Sequence, residues 1–462
     1  MTGPVLIANR GEIACRVIRA ARALGLETVA VYSDADADLP HVAQADRAVR
    51  LGPAPARDSY LNVARLLEVA SETGASLVHP GYGFLAESAE FARAVAAQGL
   101  TFVGPDPEHI RLMGDKRNAR AAAQTAGVPV LPGTDRLAAD ANLAAQAARI
   151  GLPLLVKAIA GGGGHGMARV DEAEKLPDAV ARMRAFAARA FHDDGVYLER
   201  FLPAARHVEI QVFGFGDGRA VHLFDRDCSL QRRHQKIIEE APAPGLPDSV
   251  RREMQEVSVR LAGQMGYAGA GTIEYLYDPA GQAFFFLEMN TRIQVEHPVT
   301  EMVTGQDLVA LQLRQAMGER AELPQSDIRR DGAAVEARLY AENPARQFLP
   351  SPGRLGRLDL PRMEGVRVET GYATGTEITV HYDPMIAKIV AHGPDRETAL
   401  DRLAEALRRT EVEGPATNRE FLIEMIGVAE FRAARHDTRS VDRWAAAQRS
   451  ASERKASQAT ES

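Results

Sequence analysis

Short apolar runs alternate with longer amphipathic segments in the N-terminal quarter of the chain, and this order restricts the possible folds more than any other feature. Patterns typical of buried strands occur at Pro4–Ala8, Glu27–Tyr32 and Ser76–His79, and the helical patterns Glu12–Leu24 and Ser88–Gln98 separate them from their neighbours. Strands that alternate with helices form a parallel sheet covered on both faces. The sequence therefore predicts an α/β fold that begins with a doubly wound parallel-sheet domain, residues 1–113.

The pattern changes after that domain. Strands predicted at Gly271–Tyr277 and Ala283–Asn290 flank the strong turn Asp278–Gly281, which indicates an antiparallel hairpin. We predict a second domain at residues 114–330 and a C-terminal α+β domain at residues 331–444. The segment 445–462 is rich in Ala, Ser and charge, and we expect it to be a disordered tail.

Charge and cysteine content narrow the class of protein. The formal net charge of −7 gives no general attraction to nucleic acid or to an anionic membrane, so neither is expected as a partner. The two cysteines, Cys15 and Cys228, are too few for a disulfide framework and are typical of a reducing compartment. Neither a signal peptide nor an apolar run long enough to span a bilayer is evident in the sequence. We expect a cytoplasmic enzyme.

A run of glycines, Gly161–Gly164, directly follows a predicted strand that ends in Lys157. Glycines let the backbone approach phosphate groups closely and direct its amides at their oxygens. The run is misplaced for a Rossmann fingerprint, which opens the first strand–turn–helix unit. A flexible surface loop is the alternative, but the preceding lysine favours a phosphate-covering loop.

Acidic side chains occur in both strands of the predicted hairpin. Alternation puts Glu288 and Asn290 on one face together with Phe284 and Phe286, and Glu274 joins that face if the turn pairs residues whose numbers add to an even sum. Carboxylates among apolar residues are costly to bury unless a cation pairs with them. Oxygen ligands of this kind suit Mg²⁺, whereas ordinary ion pairs with arginines are the alternative.

Three polar residues at alternate positions, Arg292, Gln294 and Glu296, follow the hairpin. In extended chain they project to one side, where arginine binds a small oxyanion, glutamine orients it and glutamate accepts a proton. A solvated loop shows the same pattern, and the residues alone do not exclude it.

Two further segments are polar. Residues 225–236 concentrate cationic side chains, which indicates either a local positive patch suited to polyphosphate or a solvated face. Upstream, His207, Glu209 and Gln211 alternate with aliphatic residues, so they share one face of a predicted strand. A half-exposed strand is the alternative for that face.

Seven segments, taken together, resemble the biotin carboxylase family over residues 3 to about 440. They occur in the family's order and spacing: IANRGEIA (7–14), HPGYGFL (79–85), MGDK (113–116), GGGGHGM (161–167), RHVEIQV (206–212), RDCSLQRRHQK (226–236) and EMNTRIQVEHPVTE (288–301). The resemblance implies that the second domain is an ATP-grasp domain with a mobile glycine-rich lid at about residues 131–203. It also implies ATP-dependent carboxylation of biotin by bicarbonate.

The resemblance implies a role for each matched position. The ATP-binding residues would be Lys116, Lys157, Gly162, Gly163, Gly164, Glu199, Leu202, His207, Gln231 and His234. The ligands of Mg²⁺ or Mn²⁺, of which two ions are expected, would be Glu274, Glu288 and Asn290. Bicarbonate would be bound by Lys236, Arg292, Gln294 and Val295. The catalytic residues would be Glu296 as general base, Arg338 at the biotin enolate, and Arg292 and Lys236.

The resemblance also implies partners. None of the twelve methionines precedes a lysine, so the chain lacks the Met-Lys of a biotinyl site, and we expect biotin on a carrier protein or domain. A carboxyltransferase subunit and a second copy of the chain are the other expected partners. Residues 338–355 resemble acyl-CoA and urea carboxylases. His165 stands where the family usually has arginine or lysine, so we predict that His165→Arg tightens ATP binding.

Two alternatives remain open. One is another ATP-grasp ligase, which biotin-dependent release of ADP would distinguish. The other is a nucleotide-binding subunit without catalytic activity, in whose favour the departure at His165 is the only feature.

Overall fold

The computed structural model describes residues 3–159, 166–191, 193–319 and 323–448. No helix within these ranges has the length and apolar character needed to cross a membrane. The glycine run predicted to cover phosphate, with Gly162, Gly163, Gly164 and His165, lies outside the described residues, as does most of the predicted tail.

A five-stranded parallel sheet opens the chain, with strand order β3-β2-β1-β4-β5. Its strands are β1 (Val5–Ile7), β2 (Thr28–Ser33), β3 (Arg47–Gly52), β4 (Leu77–His79) and β5 (Thr101–Phe102). The helices of this region are α1 (Gly11–Ala23), α2 (Pro40–Gln44), α3 (Val63–Thr73), α4 (Ala89–Ala97) and α5 (Pro107–Gly114).

The central strand β1 shows why this sheet is covered on both faces. Val5 and Ile7 belong to one apolar cluster, whereas Leu6 belongs to another that contains α3 and α4 side chains such as Val69 and Phe91. Successive side chains of a strand point to opposite faces, so a continuous apolar run packs against the apolar clusters on both faces of the sheet. The prediction of an N-terminal doubly wound parallel sheet is confirmed.

A small antiparallel sheet, in strand order β7-β6-β8, follows. It consists of β6 (Leu154–Ala158), β7 (Met167–Val170) and β8 (Val196–Arg200). The accompanying helices are α6 (Lys116–Thr125), α7 (Leu143–Ile150) and α8 (Leu176–Phe191). Lys116 and Lys157 lie in this region, Lys116 as the exposed first residue of α6 and Lys157 on β6.

The largest sheet has eight strands in the order β13-β12-β9-β10-β11-β14-β21-β19, all paired antiparallel. Its first part contains β9 (Arg206–Phe215), β10 (Ala220–Arg232), β11 (Gln235–Ala241), β12 (Ala268–Asp278) and β13 (Ala283–Asn290). The helices here are α9 (Asp248–Gln264), α10 (His297–Thr304) and α11 (Leu308–Ala316).

The C-terminal region mixes strands and helices. Its strands are β14 (Ala333–Tyr340), β15 (Glu342–Asn343), β16 (Leu349–Pro350), β17 (Gly353–Arg354), β18 (Arg357–Asp359), β19 (Val366–Thr370), β20 (Glu377–Ile378), β21 (Met385–Gly393) and β22 (Glu411–Glu413). Its helices are α12 (Arg396–Arg408), α13 (Arg419–Gly427) and α14 (Ala429–Arg432). Because β11 pairs with β14, one sheet runs through both the central and the C-terminal region. The boundary between the second and third predicted domains, at residues 330 and 331, stays a prediction.

Candidate active site

The acidic hairpin β12–β13 contains a bulge that separates its polar and apolar faces. Glu274 lies opposite Glu288, as the even-sum pairing predicts, but Tyr275 lies opposite Phe286, so Leu287 is an extra residue. A bulge of this kind shifts the alternation by one position. Phe284 and Phe286 therefore pack into the core, and the prediction that they share a face with Glu288 and Asn290 is wrong.

Glu274 is buried among hydrogen-bond donors. Its Oε1 accepts hydrogen bonds from Lys236 Nζ at 2.8 Å, Asn290 Nδ2 at 2.9 Å and Gln294 Nε2 at 2.7 Å. Its Oε2 lies 3.0 Å from Nε2 of His207. Burial alone would raise the pKa of Glu274, but Lys236 and His207 hold it well below its ordinary value. The carboxylate is therefore ionised.

Glu288 has a different environment. It is exposed, and among the described residues its carboxylate has no hydrogen bond or ion pair. Partial removal of water and the charge of Glu274 raise its pKa. Two carboxylates directly opposite each other on antiparallel strands repel, and oxygen donors are the ligands that Mg²⁺ prefers. Glu274 and Glu288 therefore offer oxygen donors of the kind that a magnesium ion takes, while the amide oxygen of Asn290 accepts a hydrogen bond from Arg292.

Lys236 connects three carboxylates at the centre of the site. Its Nζ lies 2.8 Å from Glu209 Oε2, 2.8 Å from Glu274 Oε1 and 2.6 Å from Glu296 Oε1. Burial would lower the pKa of Lys236, but the surrounding negative groups raise it well above its ordinary value. This ammonium therefore stays charged at neutral pH.

Glu296, the predicted base, lies between two cations. Besides Lys236 at Oε1, it accepts a hydrogen bond at Oε2 from a terminal nitrogen of Arg338 at 3.0 Å. The same nitrogen of Arg338 lies 2.6 Å from Glu239 Oε1. Burial would raise the pKa of Glu296, but Lys236 and Arg338 lower it, so the side chain is an ionised carboxylate at neutral pH.

The predicted oxyanion residues come from a bent segment rather than from extended chain. Gln294 bridges Arg226 and Glu274, because its Oε1 accepts a hydrogen bond from Arg226 at 2.7 Å. Arg292 donates to Asn290 Oδ1 at 2.9 Å. Glu296 begins the turn into α10. The assumption of an extended strand is wrong, although Gln294 and Glu296 still meet near Lys236.

The predicted nucleotide residues separate into two groups. Lys157 Nζ on β6 donates to Glu199 Oε2 on β8 at 2.8 Å, and Leu202 packs in a small apolar cluster just beyond β8. His207 Nδ1 and Gln231 Nε2 are 2.8 Å apart on β9 and β10. These pairs place donors and apolar surface on two different sheets.

His234 lies in the two-residue turn between β10 and β11. Arg233 has a φ of 51° and His234 a φ of 68°, which is the left-handed conformation at both turn positions. Hairpin turns of this type usually contain glycine or asparagine, so this turn is strained. Both side chains are exposed at the hairpin tip.

Residues 225–236 do not form the positive patch that the sequence suggested. Arg226 is fully buried, and Arg232 donates to both oxygens of Glu342, at 2.7 and 2.6 Å. Only Arg233 and His234 of this segment are exposed. Most of these cations therefore pair with carboxylates inside the protein rather than facing solvent.

Three family models match successive parts of this chain. Residues 1–110 match the family model "Biotin carboxylase, N-terminal domain", and residues 336–443 match "Biotin carboxylase C-terminal domain". Between them, residues 115–324 match "Carbamoyl-phosphate synthase L chain, ATP binding domain". A biotin carboxylase of Allochromatium vinosum is 51% identical over 420 residues, which are 90% of this chain and 93% of that protein.

The chain belongs to the biotin carboxylase family. The predicted resemblance is thereby confirmed, together with the fold class, in which an ATP-grasp region lies between a parallel-sheet domain and a mixed region. The mitochondrial methylcrotonoyl-CoA carboxylase subunit alpha of Oryza sativa is 49% identical over 442 residues. The match covers 95% of this chain but only 60% of that relative's length, so this chain spans about three fifths of that longer family member.

Solved structures of the family superpose closely. A biotin carboxylase of Campylobacter jejuni in complex with β,γ-ATP has a TM-score of 0.90 at 38% identity, covering 96% of this chain and 99% of that one. The biotin carboxylase domain dimer of Hydrogenobacter thermophilus 2-oxoglutarate carboxylase, in complex with MgADP, ADP and bicarbonate, has a TM-score of 0.88 at 43% identity. It covers 96% of this chain and 98% of that one.

Sequence reasoning missed the residues that hold this candidate site together. Glu209 and Arg226 are fully buried and bonded to each other, and Arg226 also supports Gln294. The strict alternation of β9 indicated that Glu209 shares a face with His207, but nothing local indicated burial. The partners of Glu209 and Arg226 lie far from them in sequence, so only the sheet register could have identified these two residues.

Proposed function

We propose that this chain catalyses carboxylation of biotin by bicarbonate, with cleavage of ATP to ADP. The observation that carries the proposal is the ionised Glu296 between Lys236 and Arg338, next to the acidic hairpin. An ionised carboxylate can accept a proton once the cations that lower its pKa move away, and the two cations are suited to oxyanions. The biotin carboxylase family membership supports the same activity.

Bicarbonate would bind to Lys236, Arg292, Gln294 and the Val295 amide. Lys236 would turn from Glu296 towards the anion as it enters, and Arg292 would supply a second charge. Because Lys236 lowers the pKa of Glu296, loss of that contact makes Glu296 a stronger base at the moment it is needed. Glu296 would then remove the proton of bicarbonate.

ATP would bind between the two sheets. Lys116, Lys157 and the glycine amides of Gly162, Gly163 and Gly164 would contact its phosphates. The remaining proposed contacts are Glu199, Leu202, His207, Gln231 and His234. Glu274, Glu288 and Asn290 would hold magnesium, which when bound neutralises negative charge on the phosphates.

The deprotonated bicarbonate would attack the terminal phosphate of ATP, displace ADP and form carboxyphosphate, which breaks down to carbon dioxide and phosphate. Phosphate would remove the ureido proton of biotin, and the resulting enolate would attack carbon dioxide. Arg338 would stabilise the enolate oxygen with the positive charge of its guanidinium. In the structure this guanidinium bonds Glu296 and Glu239. Removing one preorganised charge of this kind costs roughly 10²–10³ in turnover.

The partners are proposed from the relatives. We place biotin on a carrier protein or domain and expect a carboxyltransferase to use the product, as the first half-reaction of an acyl-CoA-type carboxylase. The methylcrotonoyl-CoA carboxylase relatives support the acceptor class. The dimer named for the 2-oxoglutarate carboxylase domain supports a homodimer.

Release of ADP in MgATP and bicarbonate, with and without free biotin, tests the proposal. Stimulation by biotin that is lost in Glu296→Ala and Arg338→Ala is expected. Arg357→Ala is the matched control, because Arg357 forms an exposed ion pair at the surface. Release of ADP without dependence on biotin would instead indicate another ATP-grasp ligase, and tight ATP binding without turnover would indicate a silent subunit.

A further inference from the structure

Lys388, in the middle of β21, is a buried cation outside the predicted site residues. Its side chain is fully buried. Its Nζ donates a hydrogen bond to the carbonyl of Val295 at 2.7 Å and lies 3.1 Å from Oε1 of Glu12 in α1. Burying an ammonium is costly unless its bonds are specific, so this contact with the Val295 loop requires an explanation.

The Val295 carbonyl belongs to the peptide plane that carries the Glu296 N–H. The preceding plane, with the Gln294 carbonyl and the Val295 N–H, is held by His297, whose Nδ1 lies 2.7 Å from the Gln294 oxygen. Burial and nearby cations hold the pKa of His297 well below its ordinary value, so the ring is neutral and Nδ1 carries the donated hydrogen. Peptide units are planar, so fixing a carbonyl also fixes the N–H on its opposite side.

We propose that Lys388 is a positioning residue of the bicarbonate site, which orients the Val295–Glu296 peptide from the opposite side of the segment. The inference rests on the proposed function, because it assumes that Glu296, whose N–H lies in this peptide, acts on bicarbonate beside the Val295 amide of the neighbouring plane. The ammonium of Lys388 bonds the Val295 carbonyl and Glu12 rather than the side chain of any proposed bicarbonate ligand. Its effect passes through the backbone.

A purely structural role for Lys388 predicts a different result. Loss of a buried ion pair would lower stability without selecting one ligand, whereas a lost positioning contact weakens bicarbonate binding in particular. Small misplacements at preorganised sites have large effects on function. The measurement is therefore a comparison of two ligands on one variant.

The test is the dissociation constant of bicarbonate, measured by calorimetry with saturating MgADP, for the wild type and for Lys388→Met. We expect binding to weaken by about tenfold or more, while the MgADP dissociation constant changes by less than about threefold. Arg396→Met is the matched control. Arg396 donates to the carbonyls of Phe431 and Arg432 and pairs with Glu240, so it is a partly buried cation with the same kinds of partner and without contact with Val295.

Lys388→Met leaves Glu12 without its cation, which can impair folding. The double variant Lys388→Met, Glu12→Gln removes both charges and should show the same selective loss of bicarbonate binding. Unchanged bicarbonate affinity in either folded variant, an equal loss in Arg396→Met, or absence of bicarbonate binding by the wild type would overturn the inference. A wild type that binds bicarbonate without biotin-dependent release of ADP would refute the proposed function alone.

Discussion

Arg226 offers the sharpest test of how this site is held together. Its guanidinium is fully buried and its nitrogens are bonded to five side chains. The partners are Glu209, Gln211 at 2.7 Å, Thr300 at 2.9 Å, Thr272 at 3.1 Å and Gln294 at 2.7 Å. Arg226→Met keeps most of the apolar volume and removes every one of these donors.

The magnitude follows from the pair with Glu209. Removing one partner of a buried ion pair costs about 3–5 kcal/mol, because the other charge stays buried. Lys236 remains 2.8 Å from the second oxygen of Glu209, so the lower end, about 3 kcal/mol, is expected. With an m-value of roughly 3 kcal/mol per M urea, the unfolding midpoint should fall by about 1 M.

Urea unfolding followed by circular dichroism measures this shift. Arg357→Met is the control, because its ion pairs with Asp359 and Glu411 are exposed and contribute at most about 1 kcal/mol. Equal midpoints for the two variants would refute the reasoning, since burial and bonding would then have no bearing on the cost. Arg226→Lys, which keeps the charge but not the planar set of donors, should lie between them.

Three further predictions concern pH, packing and the nucleotide. Burial raises the pKa of Glu239 to about 7. Between the ordinary pKa of a glutamate and this value, the folded protein therefore binds more protons than the unfolded chain does. The free energy of unfolding should decrease as pH rises through about 7. Glu239→Gln should flatten Tm between pH 5 and 8; an unaltered slope would contradict this. At Gly371, an added Cβ would lie 2.3 Å from the backbone of Gly11, so Gly371→Ala should destabilise by about 1–3 kcal/mol, and an unchanged Tm would be inconsistent with that contact. His165→Arg should lower KM for ATP, because imidazole is only about one-quarter protonated at neutral pH; an equal or higher KM would exclude the idea.

Element positions were predictable where turns and apolar periodicity agree. The predicted strand Ala283–Asn290 coincides with β13, because a strong turn precedes it and its apolar residues pack against β9 and β12. The first strands and helices also lie within a few residues of their predicted limits. Local sequence determines such elements, and their packing reinforces the same pattern.

β10 and β11 were not predictable in the same way. Their residues include Asp225, Arg226, Asp227 and Arg232, which are typical of a solvated segment, yet all four are buried. Each is paired with charges from other strands and helices, for example Asp227 with Arg206 at 2.7 Å. Burial of polar residues depends on partners far along the chain, and sequence patterning does not contain that information.

The residues of the candidate site also differ in whether local sequence or long-range packing determines their position. Glu288 and Asn290 alternate along one strand and could be grouped from the sequence, whereas the position of Glu274 opposite Glu288 depends on the bulge in β13. Lys236, Arg338 and Lys388 belong to β11, β14 and β21, and their common location depends on the order of strands in the eight-stranded sheet. The family resemblance supplied the first two, and only the register and distances supplied the third.

The extra residue in β13 determines how this hairpin tolerates changes in length. Leu287 is the residue without a partner on β12, so deleting it would restore simple alternation with Glu288 still opposite Glu274 and on the face away from Phe286. The hairpin can therefore lose this residue without turning either carboxylate into the core. Its loss would instead straighten β13, because a bulge bends and twists the strand that carries it.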